Sequence, residues 1–193
     1  VSIAIIRGNL RIPLSTVPYV VLSSICACIL ITLTYHAVDY LDVGLVMLIL
    51  YCFPLGVAFI SYFRGKSKIV FVQWLSMVVL MLGLYLMLSS GDQVLNLYGL
   101  FISFLGLLFF IAFIVTASDL SEQIGATTFN LYVSLLGIIF LTVGFILPLG
   151  FEMDLPLTKT GIFAIFANGL FYISSWVLFF KGATIIGATR SSM

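Results

Sequence analysis

The residues of this chain that could do chemistry are few, and their spacing gives them little to work with. The single histidine, His36, stands close to Asp39 and Asp42. A metal site needs more ligands than that trio offers. An imidazole titrates near neutral pH, but nothing else in the sequence builds a switch around this one. Cys26 and Cys28 are two positions apart, which on a helix of about 3.6 residues per turn points them to nearly opposite faces. With Cys52 they read as small packing residues within apolar runs, not as a disulfide or metal pair. No glycine-rich phosphate loop, Ser/His/Asp set or metal-ligand spacing occurs. Neither a cofactor nor an enzyme activity is therefore expected.

The remaining candidates are polar or conformationally special residues inside long apolar runs: Pro54, Thr34, Asn130, Thr142, Asn168, Ser174, Ser175 and Trp176. Pro54 removes a backbone hydrogen bond and kinks or opens its helix, which reads equally as a flexible point and as a fixed packing kink. Asn168 and its neighbours lie deep in an apolar segment, where hydrogen bonding between helices is the expected role ahead of contact with a solute. Trp176 can line a cavity with its ring or simply pack. Pro148-Leu149-Gly150 echoes Pro54-Leu55-Gly56, and reads as a helix end.

The elements that hold these residues follow from composition. The 193 residues are 63% hydrophobic and 8% charged, with a mean hydropathy of +1.29. A soluble domain carries roughly 25% charged and about 45–50% apolar residues, so lipid must be the solvent here. A formal charge of +1 without a large basic patch gives nucleic acid no footing. The expected fold class is an all-α membrane protein, a polytopic helical bundle; nothing alternates as the strands of a membrane barrel would.

Charges divide the chain into six uncharged runs: Ile12–His36, Val43–Phe63, Ile69–Gly91, Gln93–Ser118, Gln123–Phe151 and Thr160–Phe180. Each reaches the roughly 20 residues that cross a bilayer core as a helix. The expected spans are about 17–35, 43–63, 69–88, 94–117, 127–150 and 161–180, joined by short loops that include one at Asp119–Glu122. With six crossings, seven of the eight basic residues share one side and only Lys159 is opposite. That bias predicts a cytoplasmic Arg64–Lys68 loop. Tyr19, Trp74, Tyr98 and Tyr132 lie near span ends, where amphipathic rings anchor at the headgroups.

A shift of 145 residues lays Tyr35-His36-Ala37 on Phe180-Lys181-Gly182 and Asp42-Val43-Gly44-Leu45 on Gly187-Ala188-Thr189-Arg190. Identities are few, yet the shift carries the first span onto the sixth, an odd number of crossings along, so the copies would be inverted. Inverted repeats underlie many alternating-access transporters. His36 and Lys181 occupy equivalent places; Lys181 reads either as a cation snorkelling to the boundary or as one facing a solute. Continuing the second copy like the first calls for another span after Met193, and Val1–Ile6 resembles the tail of a preceding helix. The chain therefore reads as part of something longer.

Tyr35-His36-Ala37, Phe53-Pro54-Leu55, Arg64-Gly65-Lys66, Gln73-Trp74-Leu75 and Gly83 follow in order. This series resembles the first repeat of the EamA-type drug/metabolite transporter superfamily, which has ten helices in two inverted halves of five. Gly99-Leu100 is similar to the start of that family's second repeat, and Gly182 through Ser192 to the end of its eighth helix. The chain departs where the family often has a Gly-Glu pair, here Gly65-Lys66, and where a second glycine follows the Gln-Trp pair, here Ser76.

The resemblance implies an incomplete copy running from the tail of helix two to helix eight. Residues 1–91 would be the later part of the first repeat, and 92–193 the earlier part of the second. It implies a secondary transporter of a small metabolite or drug-like solute, with a bacterial inner membrane as its setting. Tyr35, Pro54, Asn168, Trp176 and Lys181 are the transport-path candidates. The expected partners are membrane lipid and an unidentified small molecule, and a homodimer is admitted. No Asp or Glu occupies the middle third of any span, so proton coupling would need a group outside these runs. The competing reading is a non-transporting scaffold or accessory subunit of a larger membrane complex. Ser24, Gly83, Gly106, Gly137 and Gly169 are the small residues expected to let helices approach and slide.

Overall fold

In hydrocarbon a backbone must satisfy its own hydrogen bonds, and an uncharged run of about 20 residues does so as a helix. The computed structural model follows this rule over the residues it describes, which are 12–65, 74–75, 78–79, 81–83, 85–86, 96–146 and 158–186. Its helices are α1 Val17–Val38, α2 Val43–Leu50, α3 Phe53–Phe63, α4 Leu97–Ile124, α5 Ala126–Ile146 and α6 Lys159–Ile186. Taking Val43–Phe63 as one crossing, five segments among the described residues are long and apolar enough to span a membrane. The expected span over about 69–88 lies largely outside the described residues, as do Val1–Ile6, Pro148-Leu149-Gly150 and Gly187 onward.

The chain is an all-α membrane protein. Its outward faces would be untenable in water: Phe163 and Phe171 on α6 are exposed at 72% and 76%, and Phe101 and Leu108 on α4 are likewise uncovered. Contiguous apolar surface of this extent needs lipid or another helix against it.

The 28-residue α4 is the axis of the bundle and touches every other helix named above, α1 most extensively. The two run antiparallel. At one end Thr116 Oγ1 lies 3.5 Å from Ser23 Oγ; at the other the rings of Tyr40 and Tyr98 meet edge-to-face at 5.0 Å. Small hydroxyl residues are buried in these two helices: Ser23, Ser24, Ser103, Ser118 and Ser121. Small side chains let membrane helices come close, and a hydroxyl is tolerated when it bonds back to its own helix. Ser24 donates to the Val20 carbonyl at 2.8 Å and Ser103 to that of Gly99 at 2.8 Å. Thr34, Thr142, Ser174 and Ser175 likewise donate to carbonyls of their own helices.

The closest approaches fall at glycines other than most of those expected. A β-carbon on Gly56 would collide with the Ile111 side chain, and one on Gly99 would sit 2.8 Å from Leu41 Cγ and from Tyr40 Cβ. Gly106 is in ordinary contact with Leu33 and Leu50, and Ser24 is fully buried. Gly83, Gly137 and Gly169, expected at sliding contacts, have nothing among the described residues within 4 Å of an added β-carbon. Small size on an apolar helix does not reveal which face meets a neighbour.

The expected Asp119–Glu122 loop is not a loop. α4 continues through both acids to Ile124, and a single residue, Gly125 at φ 84°, turns the chain into α5. At about 1.5 Å per residue α4 spans about 42 Å, against a hydrocarbon core of about 30 Å. Its last turns therefore carry charge beyond the lipid without ending the helix. The turn needs glycine, because a side chain is strained at that positive φ.

Pro54 opens its helix instead of bending it. The chain breaks at Tyr51 and Cys52, and α3 restarts with Pro54 in its first turn, where a missing N–H costs nothing. Buried Phe53 and Pro54 anchor this restart, with Phe53 against Phe110 of α4 at 4.4 Å between ring centres.

At the far end of α3, Arg64 Nη1 donates to Asp119 Oδ2 at 2.9 Å. This pair puts the ends of α3 and α4 at the same face of the bundle, as alternating crossings require. Its side chains are 47% and 33% exposed, so Coulomb attraction is largely screened. Arg64→Gln is expected to lower unfolding stability by less than about 1 kcal/mol, read from thermal melts in lipid nanodiscs. A loss several times larger would show the pair to be shielded from solvent.

Candidate functional site

Side chains three and four apart share a helix face, and three such faces line a half-open cavity of about 190 Å³ between α1, α5 and α6, with Phe113 of α4 at its wall. α5 contributes the longest stripe, with Asn130, Val133, Ser134, Gly137, Ile138 and Leu141 at strict helical spacing. α1 supplies Ser24, Ala27, Cys28, Leu30 and Ile31, and α6 supplies Tyr172 and Trp176. These positions run from the second turn of α5, at Asn130, to the middle turns of α1, α5 and α6, so the cavity reaches from near the Asp119 end of the bundle into its middle.

One end of the cavity is built from rings. Trp176 stacks on Phe180 at 5.4 Å and meets Phe113 edge-to-face at 5.5 Å and Tyr172 at 6.0 Å. Behind it Phe180, fully buried, packs against fully buried Phe129 of α5 at 5.3 Å. Edge-to-face pairs of this kind contribute about 0.5–1.5 kcal/mol each beyond their buried area. Together they hold the indole in one orientation at the cavity wall.

Among the described residues the lining carries no charged side chain. Its strongest polar group is the amide of Asn130, a residue only 9% exposed. An amide offers two donors and an acceptor. This one opens onto the cavity and has no hydrogen-bond partner among the described residues. The Ser24 hydroxyl, by contrast, is already committed to the Val20 carbonyl. Cys26, Cys28 and Cys52 are free thiols; Cys28 is half-buried at the cavity wall and the other two are buried.

Of the five residues named from sequence as path candidates, the structure brings Trp176 to the cavity. Tyr35, near the end of α1, is 75% exposed and does not line it. Pro54 is buried at the start of α3. Asn168 lies on the exposed face of α6, with no hydrogen bond among the described residues, in place of the expected bond to another helix. Lys181 is exposed near the end of α6, where the Thr184 hydroxyl donates to its carbonyl at 2.9 Å. His36 Nδ1 stands 3.4 Å from Asp39 Oδ2 and packs edge-on against Tyr40 and Tyr98. Asp42 is turned to another task, accepting from the Gly44 N–H at 2.8 Å as the cap of α2.

Asn130 and Cys28 were visible in the sequence only as a polar residue in a span and a packing thiol. A signal did exist: Asn130, Ser134 and Gly137 fall on one helical stripe of small and polar residues, as a solute-facing wall requires.

Comparison with known proteins adds one positive finding. Residues 1–89 match the model of the EamA-like transporter family. No curated protein and no solved structure matches the chain.

Proposed function

We propose that this chain, of EamA type over its first 89 residues, belongs to a secondary transporter that moves a small metabolite or drug-like solute by alternating access. The observation that supports the reading is the cavity between α1, α5 and α6, which reaches into the middle turns of all three helices. Transporters bind their solutes near the bilayer midplane, where opposed halves can rock about a fixed site. A scaffold subunit needs no such cavity, and a closely packed core would suit it better. Trp176 lines the path in this reading. Tyr35, Pro54, Asn168 and Lys181 lie off the cavity wall and remain candidates for other stages of the path. The side bearing Arg64 faces the cytoplasm of a bacterium, following the distribution of basic residues. The uncovered apolar face of α6 is where a second copy of the chain would sit in a homodimer.

Two experiments bear on the proposal. Purified protein in liposomes should move at least one member of a panel of amino acids, sugars and drug-like solutes; a well-folded protein that moves none of them overturns it. Second, a membrane-permeant maleimide should modify Cys28 well before Cys26 or Cys52, because only Cys28 lines the cavity and thiol reactivity follows access. The transported solute should slow that labelling several-fold, as resolved by mass spectrometry of the alkylated peptides. Equal rates at all three cysteines would count against a solute-accessible cavity.

A further inference from the structure

An engineered apolar cavity of about 150 Å³ is enough to hold benzene, so the 190 Å³ here has room for one ring carrying a small substituent. The walls then limit which ring. Among the described residues none of the lining side chains is charged, and an ion brought between these apolar walls would lose its water without gaining a counter-ion. The indole of Trp176 and the ring of Phe113, fixed edge-to-face at 5.5 Å, present aromatic surface, which favours a flat π-system at an offset or edge-on angle. The Asn130 amide, with no protein partner among the described residues, supplies a donor and an acceptor side by side. A buried amide left unpaired is costly, so the best occupant returns both hydrogen bonds.

We infer that the cavity selects uncharged solutes of single-ring size, a flat aromatic ring bearing one carboxamide-like group, with the ring against Trp176 and the polar group paired to Asn130. The inference rests on the reading of this cavity as the solute site. It assigns Asn130 as the specificity-determining residue, since reciprocal amide pairing joins one C=O···H–N bond in each direction.

The test uses the full chain in nanodiscs with Trp74→Phe, which leaves Trp176 as the sole tryptophan reporter. Benzamide should change Trp176 fluorescence saturably. N,N-dimethylbenzamide, which has no N–H to give, should bind about tenfold more weakly, the change expected for loss of one net hydrogen bond. Benzoate and benzylammonium should bind at least a hundredfold more weakly than benzamide. In Asn130→Leu, a substitution of similar volume, benzamide and its dimethyl analogue should bind alike. Thermal melts establish that this variant is folded; if it is not, Asn130→Asp supplies the second check, because its carboxylate should favour benzylammonium over benzamide.

Binding of benzoate or benzylammonium as tight as benzamide overturns the inference, as does a benzamide preference that survives Asn130→Leu. The liposome panel separates this from the broader reading. Benzamide binding with no solute moved leaves the site standing and removes the transporter. Transport of panel solutes without benzamide binding does the reverse, and failure of both rejects both.

Discussion

Phe180→Ala is expected to lower unfolding stability by about 3 kcal/mol, the low end of the 3–5 kcal/mol typical for truncating a buried phenylalanine. Phe180 has no exposed surface and touches the rings of Phe113, Phe129 and Trp176 at 5.3–6.0 Å between centres. Truncation would open a void where α4, α5 and α6 converge. The low end applies because separated helices in a bilayer still shield the ring from water, so the loss is packing and dispersion. Phe166→Ala, on the uncovered face of α6 at 66% exposure, should cost well under 1 kcal/mol in the same denaturation experiment. Phe129→Ala should behave like Phe180→Ala, and the double variant should cost less than the sum, since both lose one shared contact. Equal small losses at Phe180 and Phe166 would mean that α6 does not dock as described. Because Phe180 also backs the Trp176 indole, solute affinity should fall with stability.

Gly99→Leu is the second substitution with a large expected effect, a loss of about 3 kcal/mol at the upper end for overpacking, or failure to fold. Even a methyl at Gly99 would stand 2.8 Å from Tyr40 Cβ and Leu41 Cγ. A β-carbon cannot swing aside without moving its backbone, so the junction of α1 and α2 would have to shift. That shift would also separate the His36, Tyr40 and Tyr98 rings, which meet edge-to-face at 5.0–6.2 Å. Gly169→Leu is the control. No described residue lies within 4 Å of an added β-carbon there, and leucine is the better helix former by roughly 1 kcal/mol. Thermal melts of the three proteins should order them Gly169→Leu at or above the parent, and Gly99→Leu far below. If both variants melt together, the close approach of α4 to the start of α2 is wrong.

These two substitutions mark the boundary between what was legible in the chain and what was not. Hydropathy and charge spacing determined that the protein is helical and that lipid is its solvent. The reason is that the cost of leaving charge or unpaired backbone in hydrocarbon is large, local and almost independent of neighbours. Charge placement erred at Asp119 and Glu122 because it marks where lipid ends, and α4 runs past that level to Gly125.

Which face of each helix meets which other helix was a tertiary decision. Gly99 and Gly56 became close contacts while Gly137 and Gly169 did not, though all four are glycines on apolar helices. Asn130 came to face a cavity while Asn168, an equally polar amide in an equally apolar run, was left on an outer face. With apolar residues on every side of a membrane helix, no polar face exists in the sequence to show which way it turns. Packing of rings and small residues against α4 settles that rotation, and with it the walls of the site.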